Sequence, residues 1–307
     1  MGRADDRTLA AIAEANHGVF TRAHARSVGL SSQEIRHRLD TGQWRPLHEV
    51  VYRLAGTPMT WKSLLLAACW AGGFRAVASH RSAASLWGFA GGRRGVAEIT
   101  CPRWRRAQHD GLVVHESKAL AHGDLTPCGG IPTTTPDRTL LDLGAVRQPS
   151  IVEMAFDGAL NRGLTTVSSV RRTLDRLGKQ GRNGAGVLRE ILERHYGRPA
   201  VPESEMETML FQALRRAGIP TPVPQHDVMF GGEFVARVDA AYPALRIAIE
   251  YDSVEHHSGR DKLLADTDRR NRLWAIDWLP VTATVTDLKD GGRKICAAIN
   301  GARRRAA

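Results

Sequence analysis

Four carboxylates in the last third of the chain have the types and spacing of a divalent-metal site. Glu250 and Asp252 stand two apart in Ile247-Ala248-Ile249-Glu250-Tyr251-Asp252. That run alternates as a strand does, so both acids share one face, about 6–7 Å apart. Asp239 closes the preceding strand, and Glu207 lies on a helix before it. Gathered like charges are costly unless a cation neutralises them, and oxygen-only ligand sets suit Mg²⁺ or Mn²⁺. An ion held there polarises a phosphodiester and activates water for in-line attack. The metal ligands expected are Asp239, Glu250 and Asp252, with Glu207 orienting water or a second ion. His256 and His257 follow in the next loop. A histidine there serves as general base or contacts the scissile phosphate, or is a surface-loop residue. The competing reading is a solvated hairpin edge whose acids pair with Arg237, Arg246 or Arg269. The apolar flanks Ile247, Ile249 and Trp278 favour a core strand instead.

The elements that must position these acids are legible as an α-β-β-β-α-β order. A helix over 204–217 carries Met206, Leu210 and Leu214 on one face. Strands follow over 226–230 and 233–239, joined at Gly231-Gly232, and then over 246–252. A helix over 263–275 and a strand over 278–282 complete the set. The 197–202 stretch, rich in proline and glycine, reads as the linker before this domain. The closing Arg303-Arg304-Arg305 is expected as a frayed tail.

At the other end, three short helices precede a β-hairpin. Helices are expected over 8–15, 22–28 and 32–39, the last opened by a capping box of Ser31 with Glu34. Gly29 makes the turn between the second and third helices, and strand character runs over 44–54. This is the order of a winged helix-turn-helix. On the third helix Ser32, Gln33, Arg36 and Arg38 would face the major groove, where Gln and Arg read base edges. Ser31 and the helix start would contact phosphate. Arg45 and Arg53 would sit on the wing, and Arg22 joins the DNA-binding set. The alternative is a helix-turn-helix used for protein contacts.

The region over 59–198 reads as α+β. In it Arg103, Arg105 and Arg106, with Trp104 beside them, would track a nucleic-acid backbone or form a solvated loop. His80, alone at a helix start, is read as a cap or packing residue rather than a catalyst. The expected organisation is three domains: 1–58, 59–198 and 199–307.

Of 307 residues, 42% are hydrophobic and 24% charged, a composition that builds packed cores. The formal net charge of +11 favours a polyanionic partner. Residues 1–200 carry all of the excess, with 28 Lys and Arg against 17 Asp and Glu, whereas residues 201–307 balance at 15 each. The first two thirds therefore supply the basic surface. The four cysteines are scattered without a CxxC pair, so no zinc is expected and free thiols fit a cytoplasmic location. No apolar run is long enough to span a bilayer, and no membrane partner is expected.

Residues 204–290 resemble the very-short-patch-repair-like domain of the PD-(D/E)XK restriction-endonuclease-like superfamily. The matching pieces are Ser204-Glu205-Met206-Glu207, Arg237-Val238-Asp239, Ile249-Glu250-Tyr251-Asp252, His256-His257, Arg269 to Leu273, Trp278 and Thr286-Asp287-Leu288. The first half resembles the AbiEi-type antitoxin region in Thr21-Arg22, Gly29-Leu30-Ser31, Gly42-Gln43-Trp44, Val51-Tyr52-Arg53, Ala78 to Ala84 and Arg138 to Asp142. The resemblance implies a restriction-endonuclease-like α/β domain with Asp239 and Glu250 as metal-binding acids and Glu207 as the helix acid. The superfamily's lysine is replaced here by Asp252, and the glycine after it by Ser253. In the wing, Glu49-Val50 stands where a basic residue and glycine are expected. The function implied is a metal-dependent DNA endonuclease. The alternatives are a non-catalytic DNA-binding autorepressor with a degenerate nuclease fold, and a module that neutralises a toxin protein.

Overall fold

A computed structural model describes residues 2–104, 111–178, 183–195, 205–252 and 260–306, with the backbone alone for 2–5, 252, 260–266 and 306. The expected linker at 197–202 lies outside the described residues. The chain is a mixed helix-and-sheet protein whose described residues form three sheets, divided into two compact units, Met1–Gly197 and Arg198–Ala307.

The first unit begins with α1 (Gly2–Ala15), β1 (Val19–Thr21), α2 (Arg22–Ser27), α3 (Ser32–Asp40), β2 (Trp44–His48) and β3 (Val51–Leu54). Both short helices are started by reciprocal caps. Thr21 accepts from the His24 amide, and Ser31 Oγ accepts from the Glu34 amide while Glu34 Oε2 accepts from the Ser31 amide. The strands form an antiparallel sheet in the order β1-β3-β2. Its inner face buries Phe20, Trp44 and Tyr52 against Leu9, Ala25, Leu30 and Ile35. Phe20 meets Trp44 edge-on at 4.8 Å, a favoured aromatic geometry.

Next come α4 (Trp61–Ala71), β4 (Val77–Ala78), α5 (His80–Trp87), β5 (Ala97–Cys101), β6 (Leu112–Glu116), β7 (Leu125–Cys128) and β8 (Ile131–Thr134). The five strands lie in the order β6-β5-β4-β8-β7. Apolar α4 is buried nearly all round. It shares one core with Val19 and Val51 of the first sheet and with Ala78, Ile99 and Ile131 of the second. Four helices complete the unit: α6 (Pro136–Leu143), α7 (Pro149–Asn161), α8 (Val167–Leu177) and α9 (Ala185–His195). They pack on a separate core around Leu140, Phe156, Leu174 and Leu188. Gly144 and Gly184 let the end of α6 approach the start of α9. A Cβ on Gly144 would come within 2.6 Å of the Gly184 carbonyl, and Gly184 has φ +86°.

The second unit contains α10 (Glu205–Arg216), β9 (Val223–Phe230), β10 (Glu233–Tyr242), β11 (Ile247–Asp252), α11 (Arg260–Ala275), β12 (Leu279–Thr284), α12 (Val285–Lys289) and α13 (Arg293–Ala306). Its sheet runs β12-β11-β10-β9. The β9-β10-β11 meander is antiparallel, and β12 joins β11 in parallel after the α11 crossover. Gly231 and Gly232 both have positive φ, as a tight hairpin with primed-turn geometry requires. Side chains of α10, α12 and α13 bury Ala240, Ile247 and Ile249. Leu273 of α11 packs instead with Ala241 and Ala248, so helices cover both sides of the sheet. The Arg303-Arg304-Arg305 run is not a frayed tail. It continues α13, which Ile295, Ile299 and Ala302 anchor to the core.

Candidate functional site

In the second unit the strand registers bring two of the expected acids to neighbouring positions on adjacent strands. Ala240 lies opposite Ile249, which sets Asp239 beside Glu250. On the other side Val238 pairs with His226 and Ala240 with Pro224, which sets Gln225 beside Asp239. Gln225, Asp239 and Glu250 thus occupy neighbouring positions on three adjacent strands, with Gln225 bonded to Glu207 of α10 and Glu250 paired with Arg269 of α11. Glu207 is 1% exposed, and its Oε1 accepts a 3.3 Å hydrogen bond from Gln225 Nε2. Gln225 Oε1 accepts in turn from Arg237 Nε at 3.4 Å. Gln225 is a member that sequence reading missed. Its signal was weak, because nothing local marks an amide in an edge strand, although its left-handed φ of 45° is rare for a residue with a side chain.

Asp239 Oδ2 accepts the Tyr251 amide at 2.8 Å. The Tyr251 hydroxyl is buried and has no hydrogen-bond partner among the described residues. Burial, followed by the nearby charges of Glu207 and Asp239, drives its pKa well above the ordinary phenol value. Glu250 faces α11 and forms an ion pair with Arg269 at 3.1 Å. Asp252 ends β11 opposite Thr284. Its side chain, together with His256 and His257, lies outside the described residues.

The residues expected to meet DNA divide by environment. Ser32, Gln33 and Arg36 are exposed on α3, and Arg22 is exposed at the start of α2. Among the described residues Arg36 pairs with Asp40, at 3.9 Å, with both side chains in solvent. Arg38 is drawn inward instead. Its side chain is 12% exposed, pairs with Asp6 at 3.0 Å and lies 5.7 Å over the Trp44 ring, so it braces α1 against α3. Arg45 is exposed opposite Arg53 in the hairpin register, and Arg53 Nη1 donates to the Thr57 carbonyl at 2.9 Å. Ser31 Oγ is engaged by the α3 cap. Arg103 is exposed, and Arg105 and Arg106 lie outside the described residues.

A third group forms in the five-stranded sheet. His80, read from sequence as a packing residue, stacks on His115 with centroids 3.6 Å apart. Glu98 Oε1 lies 2.8 Å from His115 Nε2, while Arg81 grips both oxygens of Glu98. Burial lowers the His80 pKa to about 4. Burial also pushes the Glu98 carboxyl up, but hydrogen bonds from His115 and Arg81 outweigh it and hold the group at about 2.

No protein-family model matches the chain. It is similar to the uncharacterized proteins Rv2248 and MT2308 of Mycobacterium tuberculosis, from the H37Rv and CDC 1551 strains. Each is 29% identical over 228 residues, which cover 74% of this chain and 81% of the relative. Among the described residues, no helix is long and apolar enough to cross a membrane.

Proposed function

We propose that the chain is a DNA-binding protein whose second unit is a metal-dependent DNA endonuclease domain of the PD-(D/E)XK type. The observation that carries this reading is the placement of Asp239 and Glu250 at neighbouring positions on β10 and β11, with buried Glu207 bonded to Gln225 at the matching position of β9. The α10-β9-β10-β11-α11-β12 order, with its antiparallel meander and one parallel strand, is the scaffold such a site uses. The donor set fits Mg²⁺ or Mn²⁺, being all oxygen. The Tyr251 hydroxyl, beside Glu207 and Asp239 and without a hydrogen-bond partner among the described residues, offers a donor for one further oxygen ligand. When bound, the ion supplies Lewis-acid polarisation of a phosphodiester. The chain's own residues divide the remaining work. Asp239 is fixed in rotamer by the Tyr251 amide, Glu207 is held by Gln225, and Arg269 offsets the charge of Glu250.

In the first unit, α1-β1-α2-α3-β2-β3 is read as a winged helix-turn-helix with α3 as the recognition helix. Because Arg38 is committed to Asp6 and Trp44, the base-reading set contracts to Ser32, Gln33 and Arg36. Arg22, Arg45, Arg53 and Arg103 supply phosphate contacts.

The test is cleavage of labelled plasmid and short duplexes with Mg²⁺ or Mn²⁺, comparing wild type with Asp239→Ala and Glu250→Ala. Nicking that needs the metal and disappears in both variants supports the endonuclease. A gel shift that weakens with Gln33→Ala or Arg36→Ala supports the reading helix. Binding without cleavage on duplex, single-stranded and mismatched DNA supports a second reading, an antitoxin-like autorepressor with a silent nuclease fold and a toxin protein as partner. The Arg269 hold on Glu250 favours that reading, because it occupies a carboxylate that a cation would need.

A further inference from the structure

We propose that His80, Glu98 and His115 form a second metal site, in the first unit, for a borderline divalent transition metal of the zinc type. Each of the three offers one ligand atom, and these atoms all lie within 4.8 Å of one another. Two imidazoles and one carboxylate are a recurring zinc ligand set, usually with a fourth position left for water or substrate.

The fold assembles the trio from three separate segments. The parallel register of β5 and β6 sets His115 opposite Thr100, two residues along β5 from Glu98 on the same face. β4 pairs with the other edge of β5, and the Ser79 amide continues that ladder to the Glu98 carbonyl at 3.0 Å. His80 follows directly, with φ +49°. A buried residue with a side chain persists in the left-handed region where its surroundings over-determine it, and such strain gathers at functional sites. Here that conformation brings the His80 ring over His115.

The surroundings orient each ligand as metal sites do. Ser79 Oγ lies 2.9 Å from His80 Nδ1 and accepts from Thr100 Oγ1 at 2.7 Å. It can also accept Nδ1–H, which turns the Nε2 lone pair of His80 outward. Glu98 Oε2 takes Arg81 Nε at 2.7 Å and the Arg81 amide at 3.0 Å. Oε1 takes His115 Nε2 at 2.8 Å and Arg81 Nη2 at 3.0 Å, so an ion inserted there replaces the His115 hydrogen bond and shares Oε1 with Arg81, which keeps Oε2. With metal–nitrogen bonds of about 2.0–2.1 Å, ligand atoms sit about 3.4 Å apart. The Glu98–His115 pair, at 2.8 Å, must therefore open slightly, while the wider separations, none beyond 4.8 Å, close by up to about 1.4 Å as the ring stack opens. His115, with a side chain 30% exposed, can make that movement. A cavity of 280 Å³ adjoins His80 and His115 and is lined also by Ser117, Asp142 and Asn183, which leaves room for a water or a small oxyanion in the fourth position.

The experiment strips the full-length protein with chelator and titrates it with Zn²⁺ alone by calorimetry. Co²⁺ is then added to read the coordination from its visible spectrum. Wild type is expected to bind one Zn²⁺ that Asp239→Ala and Glu250→Ala retain. His115→Ala and Glu98→Gln are each expected to weaken it at least tenfold and to abolish the Co²⁺ bands, with circular dichroism unchanged. His115→Gln serves if His115→Ala does not fold. Absence of a stoichiometric Zn²⁺, or one that survives both His115 and Glu98 variants, overturns the proposal. Because the Asp239 and Glu250 variants are scored separately, failure here is distinct from failure of the endonuclease reading.

Discussion

Replacing Arg138 with methionine should unfold the first unit far more readily than a typical substitution does. Its guanidinium is 1% exposed. Nε donates to Asp142 Oδ1 at 2.9 Å, and Nη1 donates to the Ala119 carbonyl at 3.2 Å and faces Asp124 Oδ2 at 3.4 Å. Asp142 is 5% and Asp124 1% exposed. Methionine fills much of the volume but leaves both carboxylates facing a site without its cation. Removing one partner of a buried ion pair costs about 3–5 kcal/mol, because the other charge stays desolvated. Asp124 keeps Arg176, whose side chain is partly in water, so the lower end, about 3 kcal/mol, is expected. Arg138→Lys should recover little, since an ammonium cannot serve Asp142 and Ala119 from two directions at once. Arg138→Met combined with Asp142→Leu should recover more than half, because the pair is then replaced by apolar groups. The assay is urea denaturation of the full chain, with amide exchange in α6 and α8 reporting on the first unit alone. A loss below about 1 kcal/mol would refute the desolvation argument, as would a double variant less stable than the single one.

Acid should attack the same network. Burial raises the Asp124 carboxyl, but hydrogen bonds from Arg176 and the Ala121 amide, with the Arg138 and Arg176 charges, bring it below the ordinary carboxylate value. A lowered folded pKa contributes stability that is present above the unfolded value near about 4 and is lost as pH falls through the folded one. Unfolding midpoints measured downward from pH 5 should therefore fall less steeply for Asp124→Asn than for wild type. Thr21→Ala removes the half-buried α2 cap and should cost about 1 kcal/mol in thermal or chemical unfolding. Tyr251→Phe removes a buried hydroxyl that has no hydrogen-bond partner among the described residues. In metal-free protein it should leave the melting temperature unchanged or higher, whereas a marked drop would mean that the hydroxyl has a partner. Gly184→Ala places a Cβ against the Leu141 carbonyl at φ +86°, and poor soluble yield or a melting temperature lowered by several degrees should follow.

Local chemistry was sufficient for much of this protein. Ser31 with Glu34 marked the start of α3, Gly231-Gly232 marked the hairpin, and the alternation of Ile247, Ile249 and Tyr251 against Glu250 defined β11. Each depends on neighbours within a few residues, where sequence spacing and spatial spacing are nearly the same. The very short strands β1, β4, β7 and β8 offered too few residues for a period to appear. Register and crossover were hidden for a different reason. They are decided by which apolar faces can be buried together, a choice made across the whole chain. Arg36 and Arg38 look equivalent on paper, yet Asp6, 32 positions away, and Trp44 turned Arg38 inward. Gln225 joined Asp239 through β9–β10 pairing, and His80, Glu98 and His115 met because β6 lies parallel to β5 while β4 flanks its other edge. The sequence by itself determined the acids and most of the elements that carry them. Only the tertiary structure decided which side chains share a face, because packing long-range partners, rather than local propensity, sets the strand register.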